Sequence, residues 1–189
     1  LARLPLALAK IAVGVLAAHQ APANGYEVSI YQDTVLLYWL GAGGALAVSL
    51  FTLLYDYRGR LAPLSMLLGG ASVASFLALP IIRNYYFHGY ADPMTHLGQV
   101  RAMWGGWMTF FESIYPGSYV FSVFVASFSG LQANRAMLYV MLAFGILFLL
   151  FIPLTVERIV PDRRAVVIAL FGAFLLLPVN NVALFYRFH

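Results

Sequence analysis

The run AMLYVMLAFGILFLLFIPLTV, Ala136 to Val156, holds no charged residue and decides the fold class. About 20 apolar residues carry a helix across the roughly 30 Å hydrocarbon core of a bilayer. The segment is too long and too continuously apolar for a barrel strand, which alternates over roughly 10 residues. Inside hydrocarbon every backbone N–H and C=O must be paired within the chain, so a helix is expected. Working outward, Thr34–Tyr55 and Leu61–Ile82 meet the same length. Ala165–Leu184 is a fourth such run, although Pro178, Asn180 and Asn181 interrupt its end. Leu4–Ala18 and Gly117–Leu131 are shorter: each is a clipped span or, for the second, a re-entrant or interfacial helix. The expected fold is all-α, a polytopic transmembrane helix bundle of about five to six spans.

Composition agrees with that reading. Of the 189 residues 62% are hydrophobic and 10% charged, against about 25% charged in a soluble domain. Mean hydropathy is +0.85. The net charge of +4 comes from basic residues scattered along the chain, with no patch dense enough for nucleic acid. Cysteine is absent, which excludes disulfides, thiolate metal sites and a cysteine nucleophile. The partner implied is the lipid bilayer.

The chain starts at Leu1 without an initiator methionine and stops at His189 just past an apolar run. It reads as one transmembrane domain, 1–189, of a longer protein. Its first apolar stretch is a truncated helix or a signal peptide. Orientation follows the arginines. The Asp56–Arg60 loop carries two of them and is assigned to the cytoplasm, which puts the Asn84–Pro116 loop on the exterior face of a multi-pass plasma-membrane protein. If Gly117–Leu131 crosses as a full span, Arg135 falls inside while Arg158, Arg163 and Arg164 fall outside, against the rule. Either that short run does not cross, or a functional cationic loop overrides the bias.

The 84–116 loop, NYYFHGYADPMTHLGQVRAMWGGWMTFFESIYP, is the one long polar-punctuated segment and is expected to carry short amphipathic helices. Asp92 precedes Pro93, the pattern of a capped helix start. His96 follows Asp92 at the four-residue spacing that brings side chains together. The pair is a cap beside a histidine, a tuned base, or two ligands of a divalent cation such as Mg or Mn, with Asp92 the metal ligand. Arg101, with Arg83 at the preceding boundary, has the geometry to clamp a phosphate; Arg83 is equally suited to reach headgroups. Glu112 is a second acid of the site or a solvated loop residue. Trp104, Trp107, Phe110, Phe111 and Tyr115 form an aromatic belt at the interface or a platform on which a sugar stacks. His88 is a further ionisable residue of this loop, and Tyr26, Glu27 and Tyr31 in the first exterior loop could contribute to the same face, although nothing in their spacing demands it.

The order of an early span, the loop segment GYADPMTHLGQVR, then ESIYPGSYVFSVFVASFSGL and RAMLYVMLAFGILFLLFIPLTVERI resembles the N-terminal half of polytopic GT-C superfamily glycosyltransferases, particularly the archaeal membrane proteins of that type. The resemblance implies an acidic catalytic residue in the first large exterior loop, a position that Asp92 occupies. It also implies a polyprenyl-phosphate-linked sugar as donor, with the acceptor undefined. Ile114–Phe121 matches the segment opening the next span, and Val179–His189 a later exterior loop. Many members carry two neighbouring acids where this chain has Asp92 alone, which weakens the metal inference more than the base inference.

Carried over, Asp92 takes the acceptor's proton or helps position a cation. His96 assists it, and Arg101 or Arg83 neutralises the leaving lipid phosphate. Glu112, Trp104 and Trp107 are substrate-binding candidates. Such chemistry draws on residues beyond this stretch, so the fragment alone is expected to be inactive. The alternative is a non-enzymatic polytopic protein, a transporter subunit or a structural one. A transporter would show ionisable groups near the middle of its spans, and the cleanest runs here have none.

Overall fold

A computed structural model describes residues 3–23, 30, 33–86, 92–113 and 116–179. Tyr26, Glu27, Tyr31, His88, Tyr115 and the 180–189 run lie outside the described residues, as does the side chain of Asp92. Among the described residues every regular element is helical. In chain order these are α1 (Arg3–His19), α2 (Leu36–Tyr38), a π-helical turn (Trp39–Gly43), α3 (Gly44–Asp56), α4 (Ala62–Leu77), α5 (Leu79–Ile82), α6 (Asp92–Trp104), a 3-10 turn (Phe110–Glu112), α7 (Pro116–Ser129), α8 (Ala133–Ile159) and α9 (Arg163–Val179).

By length and composition two helices are able to cross a membrane: the continuous Leu36–Asp56 run and Ala133–Ile159. Pro5–His19 and Ala62–Leu77 are apolar but shorter. The expected Leu61–Ile82 span is broken at Ala78. Pro80 supplies no N–H and its ring crowds the carbonyl of Phe76 one turn back, so the chain restarts as α5.

Helix α4 is the centre of the bundle and touches α1, α3, α8 and α9. Its sequence explains this position. Ser65, Gly69, Ser72 and Ser75 are small and recur along one side, which lets neighbouring backbones approach closely. Ser49 Oγ on α3 donates to Ser65 O at 2.6 Å, Ser72 Oγ to Ala42 O at 2.5 Å, and Tyr38 OH meets Ser75 Oγ at 3.4 Å. The pairs 49–65, 42–72 and 38–75 run in opposite order, so α2–α3 and α4 are antiparallel. Ser72 thus reaches a carbonyl of the π turn; such a bond contributes about 0.5–1.5 kcal/mol, and an orphaned buried partner costs about 1–3.

Helix α1 lies against the π turn along its stripe Ala7, Ile11, Gly14 and Ala18, each buried. A side chain added at Gly41 would stand 2.3 Å from the Lys10 carbonyl oxygen, so the two backbones nearly touch. On the other flank Phe174 of α9 packs over Gly69 within the core of Leu53, Val73, Leu77, Leu149 and Leu170.

The connections establish two ends. His19 Nδ1 donates to Ile82 O at 3.1 Å, joining the end of α1 to the end of α5. At the opposite end Arg164 Nε donates to Tyr57 OH at 2.6 Å. Helix α7 is only 14 residues long, roughly 21 Å at 1.5 Å per residue. It turns back on α8 through residues 130–132, with Gly130 at φ 70°, and the Phe121 and Phe144 rings meet edge to face at 5.9 Å. The α8 start therefore sits beside Asn84 and Tyr86, and Arg135 joins the end that carries α6. Of the two expectations for Gly117–Leu131, the one in which this run does not carry the chain to the other end agrees with the fold.

The outward faces of α7 and α8 are apolar. Phe121, Phe124, Phe128, Phe144, Phe148 and Phe151 are all exposed.

Candidate functional site

Helix α6 is built on a narrow buried stripe. Leu97 and Val100 pack against Tyr119 of α7 and against Ala133 and Met137 of α8. Its end is a glycine C-cap: Gly106 takes φ 76°, Trp107 N–H bonds Ala102 O at 2.8 Å, and Gly106 N–H bonds Met103 O at 3.2 Å. That is the paired Schellman arrangement, in which glycine occupies the left-handed position. The candidate residues of the sequence flank this buried stripe.

On one flank Asp92, His96 and Gln99 stand four and three residues apart, so their α-carbons share a face of α6. The side chain of Asp92 is outside the described residues. His96 Nδ1 is hydrogen-bonded to the hydroxyl of Tyr119, itself buried. The Oε1 of Gln99 is buried and has no hydrogen-bond partner, an acceptor kept from water at a cost of about 1–3 kcal/mol. Asp92 and His96 are the pair that would hold a divalent cation. Among the described residues no three His, Asp or Glu side chains gather as a metal cluster.

Arg101 is five residues past His96 and points about 140° away around the helix, since 3.6 residues make a turn. Its guanidinium donates to Tyr86 OH. Tyr86 is held in turn by Asn134 Nδ2, which donates to its carbonyl at 2.6 Å. Asn134 is 1% exposed and its Oδ1 has no partner. Next to it, Arg135 donates to Asn84 Oδ1. Asn84 has φ 62°, a left-handed conformation that asparagine tolerates better than most residues. His96 and Arg101 are thus brought to one helix but not to one point.

Arg83 is 2% exposed. It donates from Nε to Ala21 O at 3.2 Å and from Nη1 to Ile30 O at 3.4 Å and Tyr85 OH at 3.1 Å. Its own carbonyl accepts from Ala23 N–H at 2.8 Å. The guanidinium is directed inward, tying the two sides of the first connection to the end of α5.

Glu112 accepts the Thr109 N–H at 2.6 Å and closes a capping box with it. That backbone bond, followed by the Thr109 hydroxyl, holds its carboxyl below the usual carboxylate range. Trp104, Phe110, Trp107 at 88% and Phe111 at 92% are exposed, an aromatic collar beside the end of α6.

Tyr86, Gln99, Tyr119, Asn134 and Arg135 were not among the residues expected from sequence. Gln99 was within reach of that reading, since it continues the Asp92–His96 spacing by one turn. The contacts of Tyr119 and Asn134 depend on the α7–α8 hairpin, which no local pattern announces. Comparison with protein-family models, curated proteins and solved structures finds no match to this chain.

Proposed function

We propose that the chain is a multi-pass membrane protein of five to six membrane-inserted segments, and that the α6 end faces the exterior and performs GT-C-like glycosyl transfer from a polyprenyl-phosphate donor. The observation that carries the reading is the face of α6 on which the α-carbons of Asp92, His96 and Gln99 line up, with exposed Trp104, Trp107, Phe110 and Phe111 at and past the end of that helix. The exposed phenylalanine faces of α7 and α8 support insertion, because soluble monomers rarely leave contiguous apolar patches beyond a few hundred Å² uncovered. Arginine placement supports the orientation: Arg58, Arg60, Arg158, Arg163 and Arg164 cluster at the end opposite α6, which the positive-inside rule puts in the cytoplasm.

In this mechanism an acceptor hydroxyl attacks the anomeric carbon of the sugar. The new carbon–oxygen bond forms as the bond to the lipid phosphate breaks, and the phosphate leaves with the bonding electron pair. Asp92 takes the hydroxyl proton and His96 orients that carboxylate; Arg101, turned about 140° away around α6 and bonded to Tyr86, stands outside this centre. Trp104 and Trp107 hold the lipid–sugar boundary at the interface. Asp92 and His96 are the residues that would hold a divalent cation, which would supply charge neutralisation to the leaving phosphate.

The test is transfer from a radiolabelled polyprenyl-phosphate sugar in membranes expressing the full-length gene, with wild type and Asp92→Asn at equal abundance. Activity lost in the variant supports the reading. Equal activity makes Asp92 a helix cap, and no transfer in wild type returns the non-enzymatic alternative.

A further inference from the structure

Lys10 is a basic residue inside the apolar stretch of α1 that the reading above leaves unused. It stands in α1 with Leu6 four residues before it and Val13 three after, both about half exposed, and its own side chain is exposed. No hydrogen bond or ion pair to it occurs among the described residues.

Its depth follows from the packing. The Lys10 carbonyl lies against Gly41, which is roughly 8 Å past Leu36 and roughly 22 Å short of Asp56 along the Leu36–Asp56 helix at 1.5 Å per residue. If that helix fills a hydrocarbon core about 30 Å thick, Lys10 leaves its backbone well inside the core. A helical side chain tilts toward its own N-terminus. Because α1 reaches the α6 end at His19, that tilt carries the ammonium away from the nearer boundary and toward the bilayer centre. Ionisable groups at such depth are paired or face a protein interior.

On these grounds we infer that the Leu6–Lys10–Val13 face of α1 is an interface for a partner protein, whose transmembrane helix presents an aspartate or glutamate at the depth of Lys10. Charge complementarity selects that occupant over lipid tails. A second copy of this chain is a poor one, since among the described residues Asp33, Asp56, Asp92, Glu112, Glu157 and Asp162 all stand at helix ends or in turns. The inference rests on the membrane reading of the bundle.

The test places a photo-crosslinking amino acid at Val13 in the full-length protein in its native membranes. The expected result is one adduct heavier by a different polypeptide, crosslinked through an apolar segment that carries an acidic residue. Lys10→Leu should lower its yield by at least about tenfold, because removing one member of a buried charge pair speeds dissociation. Lys10→Arg should preserve it, and Lys10→Glu combined with a lysine at the partner's acidic position should restore it. Elution of the variants in detergent at the wild-type volume shows that they fold. Lipid-only adducts, a dimer of this chain, a crosslink within it, or a yield indifferent to Lys10→Leu would each overturn the inference. Release of the chain by alkaline carbonate would overturn the membrane reading instead.

Discussion

Arg164 and Tyr57, 107 residues apart in sequence, are joined by a 2.6 Å hydrogen bond from Nε to the phenol oxygen, with the guanidinium carbon also 5.6 Å from the ring centroid. Arg58 approaches the same ring at 5.3 Å. The bond brings the 56–62 and 159–163 connections to one end of the bundle, while Asn84 and Arg135 meet at the other.

A labelling pattern follows. The chain contains no cysteine, so single cysteines report without interference. Arg60→Cys and Arg163→Cys should react with an impermeant maleimide from the same side of the membrane, and Gln132→Cys from the opposite side. Reaction of Arg60→Cys and Arg163→Cys from opposite sides would sink both the topology and the orientation proposed from it.

Gly41 and Gly43 offer a matched pair two residues apart in the π turn. An alanine methyl at Gly41 would meet the Lys10 carbonyl at 2.3 Å, whereas at Gly43 nothing lies within 4 Å. Backbone cannot swing aside as a side-chain tip can, so Gly41→Ala should destabilise by about 1–3 kcal/mol, the usual cost of overpacking. Gly43→Ala should stay within about 0.5 kcal/mol of wild type. Thermal unfolding in detergent distinguishes them, and equal midpoints would mean that α1 does not dock as described.

Helices were the legible part of the sequence, because an uncharged run such as Ala136–Val156 has one physical solution in lipid. Its observed helix, Ala133–Ile159, extends only three residues past each end. Breaks were less legible. The Leu61–Ile82 run looked continuous because hydropathy does not register the N–H that Pro80 lacks. At the site, spacing puts Asp92 and His96 on one face of α6, and the same 3.6-residue turn places Arg101 about 140° around the helix from His96. The role of Arg83 was hidden for a different reason: a guanidinium that reaches lipid and one that ties loop carbonyls look alike in sequence.

Tyr119 is placed to hold His96 in position. Losing the buried hydroxyl in Tyr119→Phe should cost about 1 kcal/mol, and His96→Phe should cost a similar amount. If the contact is the shared origin, the double variant should be less destabilised than the sum by roughly 0.5–1.5 kcal/mol. Limited proteolysis within 105–113, read across the four proteins, measures this through detachment of α6. Simple additivity would show that the two side chains do not act on each other.

Glu112 gives the α6–α7 connection a pH dependence of defined sign. Its carboxyl is held below the usual carboxylate range by the Thr109 N–H and then by the Thr109 hydroxyl. A group whose folded value is depressed stabilises the fold at pH above its ordinary value, about 4.3. The contribution fades as pH falls through the lowered value. The 110–112 turn should therefore persist at neutral pH and open in acid, and Glu112→Gln should remove that transition. A carbon-13 titration of the Glu112 carboxyl in micelles reads it directly. Thr109→Ala should move the midpoint part of the way up, because it deletes the hydroxyl and leaves the stronger backbone donor in place. A midpoint at the ordinary value in wild type, or one that Thr109→Ala leaves unmoved, would remove the capping box from the account of this segment.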